Sequence, residues 1–199
     1  MAGTAGPGSR RSRHVALLRG VNVGGHASLP MAGLRELCSS LGLTDVATYL
    51  QSGNVVFSAP GPVAADDLAR AIAERFGVSA TVVLRTGDDL GRIVAGNPFP
   101  RAGGTTLHVG FMAGAPDAGT VARLDPGSYA PEFVAVRGRE LYFHLPGGMG
   151  TAKLPAYVGR HLGVPTTVRN WRTVTALAHL AGGSGGATGG SAGSPGRRR

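Results

Sequence analysis

The sequence predicts an α+β chain built from two tandem ferredoxin-like units, each β-α-β-β-α-β with an extra C-terminal helix. Three observations carry this. The same order of strand-like and helix-like segments occurs twice along 199 residues. Three helix stops share one design, "LGL" at 41–43, "FGV" at 76–78 and "LGV" at 162–164. Each puts glycine where the chain must turn left-handed, an apolar residue after it, and a β-rich run beyond. Finally, the tight turns "QSGN" and "RGR" favour hairpins inside each unit. A doubly wound parallel sheet is the competing architecture.

In order, the first unit reads as strand 14–19, helix 31–41, strands 46–51 and 54–58, helix 63–76, strand 80–85 and helix 87–96. After the break "NPFPRAGG" come strand 105–112, a short helix 117–123, strands 132–137 and 140–145, helix 153–162, strand 166–169 and helix 171–181. Residue identity between the halves is poor, so the repeat is one of pattern. The expected organisation is a disordered leader over 1–12, units over 13–100 and 104–181, and a disordered Gly/Ser/Arg tail over 182–199. "HVALL" and "TVVL" are apolar on both faces, which marks strands covered on both sides. The extra helix or the other half is expected to cover the second face. About 400 Å² of such cover is worth roughly 10 kcal/mol before entropy costs.

Apolar content of 42% supports a true core. No run approaches the roughly 18 apolar residues of a membrane helix, and no apolar stretch behind "MAGTAGPGSRRSR" makes a signal sequence. A soluble cytoplasmic protein is expected. The single cysteine, Cys38, shares helical spacing with Leu34, Leu37 and Leu41, which reads as a buried thiol. The formal charge is +9, but Arg10, Arg11, Arg197, Arg198 and Arg199 stand at the two ends. Without them 15 basic residues face 11 acidic ones, so the basicity says little about a nucleic-acid surface on the folded part. Lys153 is the chain's one lysine.

The glycine-rich stretch "RGVNVGGHASLPM", residues 19–31, follows a strand and precedes a helix, as a phosphate cradle does. Gly20 and Gly25 have G-x4-G spacing, but His26 and Ala27 stand where a P-loop needs Lys and Ser/Thr. The stretch therefore reads as a connection rather than an ATP cradle.

The segments "VALLRGVNVGG", "LPMAGLRELCSSLGLTDVATYLQSGNVVF", "NPF", "LHVGFM", "KL" at 153–154 and "RNWRTV" resemble, in this order from His14 to Ala181, the bacterial family called domain of unknown function 1697. The resemblance implies a compact α+β chain with two related halves and supplies no activity. Three positions depart from the family pattern. His26 replaces the usual Lys, Ala152 replaces the Ser of "SKL", and Val168 and Arg172 interrupt "TTRNWNT".

Ferredoxin-like topology then brings loops together. In the first half the loop after strand 1 lies beside the hairpin "QSGN", so Arg19, Asn22, Gly24, Gly25, Gln51, Ser52 and Asn54 are expected to form one polar rim. The plain alternative is that Asn22, Ser52 and Asn54 satisfy turn backbone. In the second half the loop "LPGGMGTAK" lies beside "RNWRT". Gly147, Gly148, Gly150 and Thr151 would offer backbone N–H groups at a helix start, with Lys153, Arg169 and Arg172 supplying charge and Asn170 available as an N-cap. This second cluster is the stronger candidate for a phosphate, against a loop held by structural links.

Other chemistry is missing. The six histidines are scattered without metal spacing, no G-x-S-x-G elbow occurs, and nothing identifies a general base. Asp66, Asp67, Asp88 and Asp89 stand at helix starts, where they complement the dipole. His108 and His144 alternate with apolar neighbours and are read as satisfied strand histidines, with a chance to face each other. Trp171 shares a helix face with Val174, Leu177 and Ala178, which reads as core. RNA-recognition motifs share the fold but use exposed sheet aromatics, which "NVVFS" does not supply. The functional expectation is a small phosphate-bearing ligand at loop ends, with no cofactor. The alternatives are a non-enzymatic interaction module forming a dimer, and nucleic-acid binding through the basic tails.

Overall fold

The computed structural model describes residues 12–22 and 29–182. The expected leader and tail lie outside this range, apart from Ser12 and Gly182, which belong to a strand and a helix.

The first half comprises β1 (Ser12–Arg19), α1 (Met31–Ser40), β2 (Thr44–Thr48), β3 (Asn54–Ala59), α2 (Ala65–Phe76), β4 (Thr81–Thr86) and α3 (Gly87–Ala95). The second comprises β5 (Leu107–Met112), α4 (Ala118–Ala122), a 3-10 turn (Pro126–Tyr129), β6 (Phe133–Arg137), β7 (Glu140–His144), α5 (Leu154–Leu162), β8 (Thr166–Asn170) and α6 (Trp171–Gly182). Two four-stranded antiparallel sheets result, ordered β2-β3-β1-β4 and β6-β7-β5-β8. This is the ferredoxin-like order twice over, and the parallel alternative is excluded.

The local reasons match the sequence. Gly77 and Gly163 end α2 and α5 in the left-handed region at φ 66° and 63°, where a side chain would clash with its own carbonyl. Thr86 and Asp89 form a reciprocal capping box on α3. The largest shift from expectation is in β2, which starts and stops early. Asp45 has φ 51° beside a bulge in the β2–β3 register, and Leu50 has φ 59° where the chain enters the hairpin. Propensity does not reveal either departure.

Packing forms three apolar layers. One lies between the first sheet and α1 and α2, where Cys38 is fully buried; burial pushes its thiol up to about 11. Another lies between the second sheet and α5. The middle layer joins the halves: Val15, Leu17, Val56 and Val83 of the first meet Val109, Phe111 and Tyr142 of the second, with α3 and α6 contributing Leu90, Ile93, Val174 and Leu177. Trp171 and Ala178 pack against it. The second face of each sheet is thus closed both by the extra helices and by the other half. His108 and His144 do not face each other. His108 pairs with Phe143 across the ladder, so it takes the opposite face from His144's partner Leu107. His108 is buried with no partner on Nδ1, whereas His144 stacks between Phe99 and Phe133. Among the described residues no helix is long and apolar enough to cross a membrane.

Candidate functional site

The register makes the two halves directly comparable. Val15 pairs with Arg85 on β4, and Val109 pairs with Arg169 on β8. Leu17 pairs with Asn54, and Phe111 with Glu140. Arg85 and Arg169 are therefore equivalent positions, each two residues before a helix capped by the intervening residue, Thr86 or Asn170. Both side chains are buried, and each crosses into the other half.

Several of their hydrogen bonds correspond. Arg169 Nη2 donates to Leu18 O at 2.7 Å, and Arg85 Nη2 donates to the equivalent Met112 O at 2.9 Å. Arg169 Nη1 donates to Val168 O, and Arg85 Nη1 to Leu84 O. Each Nη2 also reaches the facing hairpin, at Ser52 O and at Arg139 O. Two differences stand out: Arg169 Nη1 also donates to Thr167 Oγ1 at 2.6 Å, a bond Arg85 lacks, and the Nε partners differ in charge. Arg85 Nε donates to the Glu140 carboxylate at 2.8 Å. Arg169 Nε donates to the neutral Asn54 Oδ1 at 2.6 Å.

Both guanidiniums are desolvated, and that lowers the pKa of each. For Arg85 the Glu140 charge opposes the shift. For Arg169 nothing does, and burial pushes it down to about 10. Every Asp and Glu of the chain lies within the described residues, and none pairs with Arg169. At neutral pH this is a charged group held in a poorly solvated place against neutral acceptors only.

Arg169 lines a cleft of about 570 Å³ at the seam between the halves. Leu18, Arg19, Gly20, Val21 and Ser52 form its first-half wall, and α5 and β8 form the other through Pro155, Gly159, Arg160 and Thr166. Arg19 and Arg160 are exposed and join no ion pair among the described residues. No acidic residue lines this cleft. The Arg85 seam has a cleft of about 600 Å³ that includes Asp66.

The residues expected at the polar rim of the first half come together in part. Asn22 Nδ2 donates to Gln51 O at 2.8 Å, and Asn22 Oδ1 accepts from Leu29 N, so its polar atoms hold the loop. Asn54 is fully buried and donates to Tyr49 O and Ser52 Oγ. Gly53 lets the hairpin approach β1, since a Cβ there would lie 2.7 Å from Val21 Cγ2. Gly24 and Gly25 lie outside the described residues.

The second-half cluster is divided. Arg169 sends its side chain into the first half, away from the loop with which it was grouped. The loop is a turn closed on itself: Gly148 N donates to Leu145 O, and Thr151 Oγ1 donates to Gly147 O at 3.0 Å. Gly150 belongs to the same turn. The N–H groups of Lys153 and Leu154 at the start of α5 donate to the Glu132 carboxylate at 3.1 and 2.8 Å. The anion that this helix end attracts is therefore the protein's own, a consequence of the hairpin placing Glu132 there that the loop sequence does not reveal. Asn170 caps α6 through Thr173 N, and Arg172 lies over Gly104. Among the described residues no cluster of His, Cys, Asp and Glu could hold a metal ion. Sequence reasoning missed Arg160 and Glu140, whose roles depend on how the halves meet.

Fold and seam define a class: a duplicated ferredoxin-like α+β protein whose halves are bolted together by two reciprocal buried arginines. Within it, the chain belongs to the family described as "Protein of unknown function (DUF1697)", whose model matches residues 11–142. Arg160 and Arg169 lie beyond the matched segment. Among solved structures, the chain is similar to the conserved bacterial protein SP0830 from Streptococcus pneumoniae. The two share 22% identity at a TM-score of 0.64, over 86% of this chain and 99% of that one. No curated protein matches the sequence.

Proposed function

We propose that the protein binds a small phosphate-bearing anion in the cleft at the Arg169 seam. One observation carries this reading: Arg169 is a buried cation without a carboxylate, while its structural equivalent Arg85 has one. Glu140 supplies the negative charge at the other seam; here an anion in the cleft supplies it, while the Asn54 amide holds Nε. The five N–H donors of Arg169 are already engaged, so it acts through its charge, which is effective at short range in a poorly solvated wall. Direct bonds come from the exposed donors of Arg19 and Arg160 and from the Ser52 hydroxyl. No general base lines the cleft, so the reading is of binding rather than turnover. We take the setting to be the cytoplasm, on the single, buried cysteine.

The test is thermal unfolding of the full chain with millimolar phosphate against chloride at matched ionic strength. Occupancy at ten times Kd stabilises by about 1.4 kcal/mol. The Asn54→Asp variant supplies Arg169 with an internal carboxylate and should abolish the phosphate increment, whatever its own baseline stability. Arg19→Ala with Arg160→Ala should weaken the increment and leave the baseline within about 0.5 kcal/mol. A wild-type protein indifferent to phosphate, or an increment unchanged in Asn54→Asp, rejects the reading.

A further inference from the structure

Resting on the anion-binding reading, we infer that the cleft ligand is an organic phosphomonoester whose apolar body lies along α5 over Gly159. Gly159 is inside a helix, where glycine is unfavourable because it loses the most backbone freedom. Glycine in a helix is usually explained by close packing. Gly33 in α1 is such a case, since a Cβ there would stand 3.0 Å from Phe76 Cε1. Gly159 is different: a Cβ there meets nothing within 4 Å, and its φ is not left-handed. Gly91 in α3 is equally open, but of the two it is Gly159 that lines the Arg169 cleft. Nothing in the fold demands the missing side chain. Counted from the glycine that ends each helix, the equivalent position in α2 is Ala73. What the glycine does is leave room, and the room it leaves opens onto the cleft.

The walls around that room are apolar, with Val21, Pro155, Ala156, Val164 and Val168 beside the three arginines. The cleft volume, about 570 Å³, falls in the range of roughly 300–1,000 Å³ typical of sites for small organic molecules and is more than a bare phosphate ion fills. A site with charge of one sign, three hydroxyl side chains and an apolar remainder matches a ligand with an anionic head and an apolar body. The phosphate satisfies the arginine field, and the body leaves water against α5.

Isothermal titration of the full chain with inorganic phosphate, phenyl phosphate and phenol tests this. Phenyl phosphate should bind about tenfold more tightly than inorganic phosphate, from burial of the ring, and phenol should bind weakly. Gly159→Leu fills the room with a good helix former and should remove the preference for phenyl phosphate over inorganic phosphate. If Gly159→Leu perturbs folding, Gly159→Met makes the same test with a more adaptable side chain. Equal affinity of the two phosphates for the wild type, or an undiminished preference for phenyl phosphate in the filled variant, overturns the inference and leaves the anion reading standing. Failure of both phosphates to bind overturns both.

Discussion

The Arg85 and Arg169 seams use the same backbone carbonyls, strand positions and helix junctions, yet differ by one carboxylate. At Arg85 the charge is balanced by Glu140 and the ring of Phe111 lies 5.8 Å from the guanidinium carbon. At Arg169 the balancing group is an amide. The difference separates two tasks that a duplicated fold performs with one device. Both arginines tie the halves together by donating across the seam to backbone carbonyls. Only the unbalanced one leaves a field in its cleft. On the proposed reading, the first seam serves cohesion, and the second adds to it an attraction for anions.

The comparison can be broken most forcefully at Arg85. Arg85→Ala takes the guanidinium from the partly buried Glu140 carboxylate and from the carbonyls of Leu84, Met112 and Arg139, and should destabilise by about 3 kcal/mol or more in urea unfolding. Arg169→Ala abandons carbonyls but no carboxylate, and removes a desolvated charge. Its loss should be smaller, about 1–3 kcal/mol. Equal losses would show that Glu140 contributes nothing to the asymmetry. Glu140→Gln sharpens the comparison, because it reproduces at Arg85 the neutral acceptor that Asn54 provides at Arg169. A second, weaker phosphate site should then appear by titration calorimetry, weaker because Asp66 lines that cleft. A titration that still shows one site would mean that charge balance alone does not create the site.

A further effect bears on both halves alike. His14 and His108 occupy equivalent positions, opposite Thr86 and Asn170, and burial lowers the pKa of each below 6.5. The neutral form is favoured in the folded state, so the unfolded chain binds more protons at acid pH. Stability should be full above pH 6.5 and fall as the pH drops below it, with a slope of at most about 1.4 kcal/mol per pH unit for each histidine. His108→Asn should flatten the slope measured by chemical denaturation, and an unchanged slope would remove the histidine from the account. The smallest effect is expected at the exposed Arg70–Asp67 pair, where Arg70→Ala should change stability by less than about 0.5 kcal/mol.

Much of the architecture was legible in local signals. The left-handed glycines at 77 and 163 marked helix ends, and the Asp66–Asp67 and Asp88–Asp89 pairs stand at helix starts as expected. The polar rim was half legible: the adjacency of Asn22 and Gln51 follows from topology, but their bonding to each other and to Leu29 is detail that spacing does not encode. The grouping of Arg169 with Lys153 failed for a geometric reason. Lys153 sits by Glu132, just ahead of β6, at the far edge of the sheet from β8; alternate residues of a strand face opposite sides, and Thr167 and Arg169 take the side that looks at the first half. Which side that is depends on how the sheets are stacked.

Taken alone, the amino-acid order determined the doubled β-α-β-β-α-β path, the turns between its elements, the burial of Cys38 and the packing of Trp171 against the core. These follow from contacts between near neighbours and from apolar periodicity, which are properties of the chain itself. Tertiary structure alone decided which arginine would meet a carboxylate. Arg85 and Glu140 are 55 positions apart, and Arg169 and Asn54 are 115 apart. Only the packing of one sheet on the other brings them within hydrogen-bond reach, in a place dry enough for a single missing charge to matter.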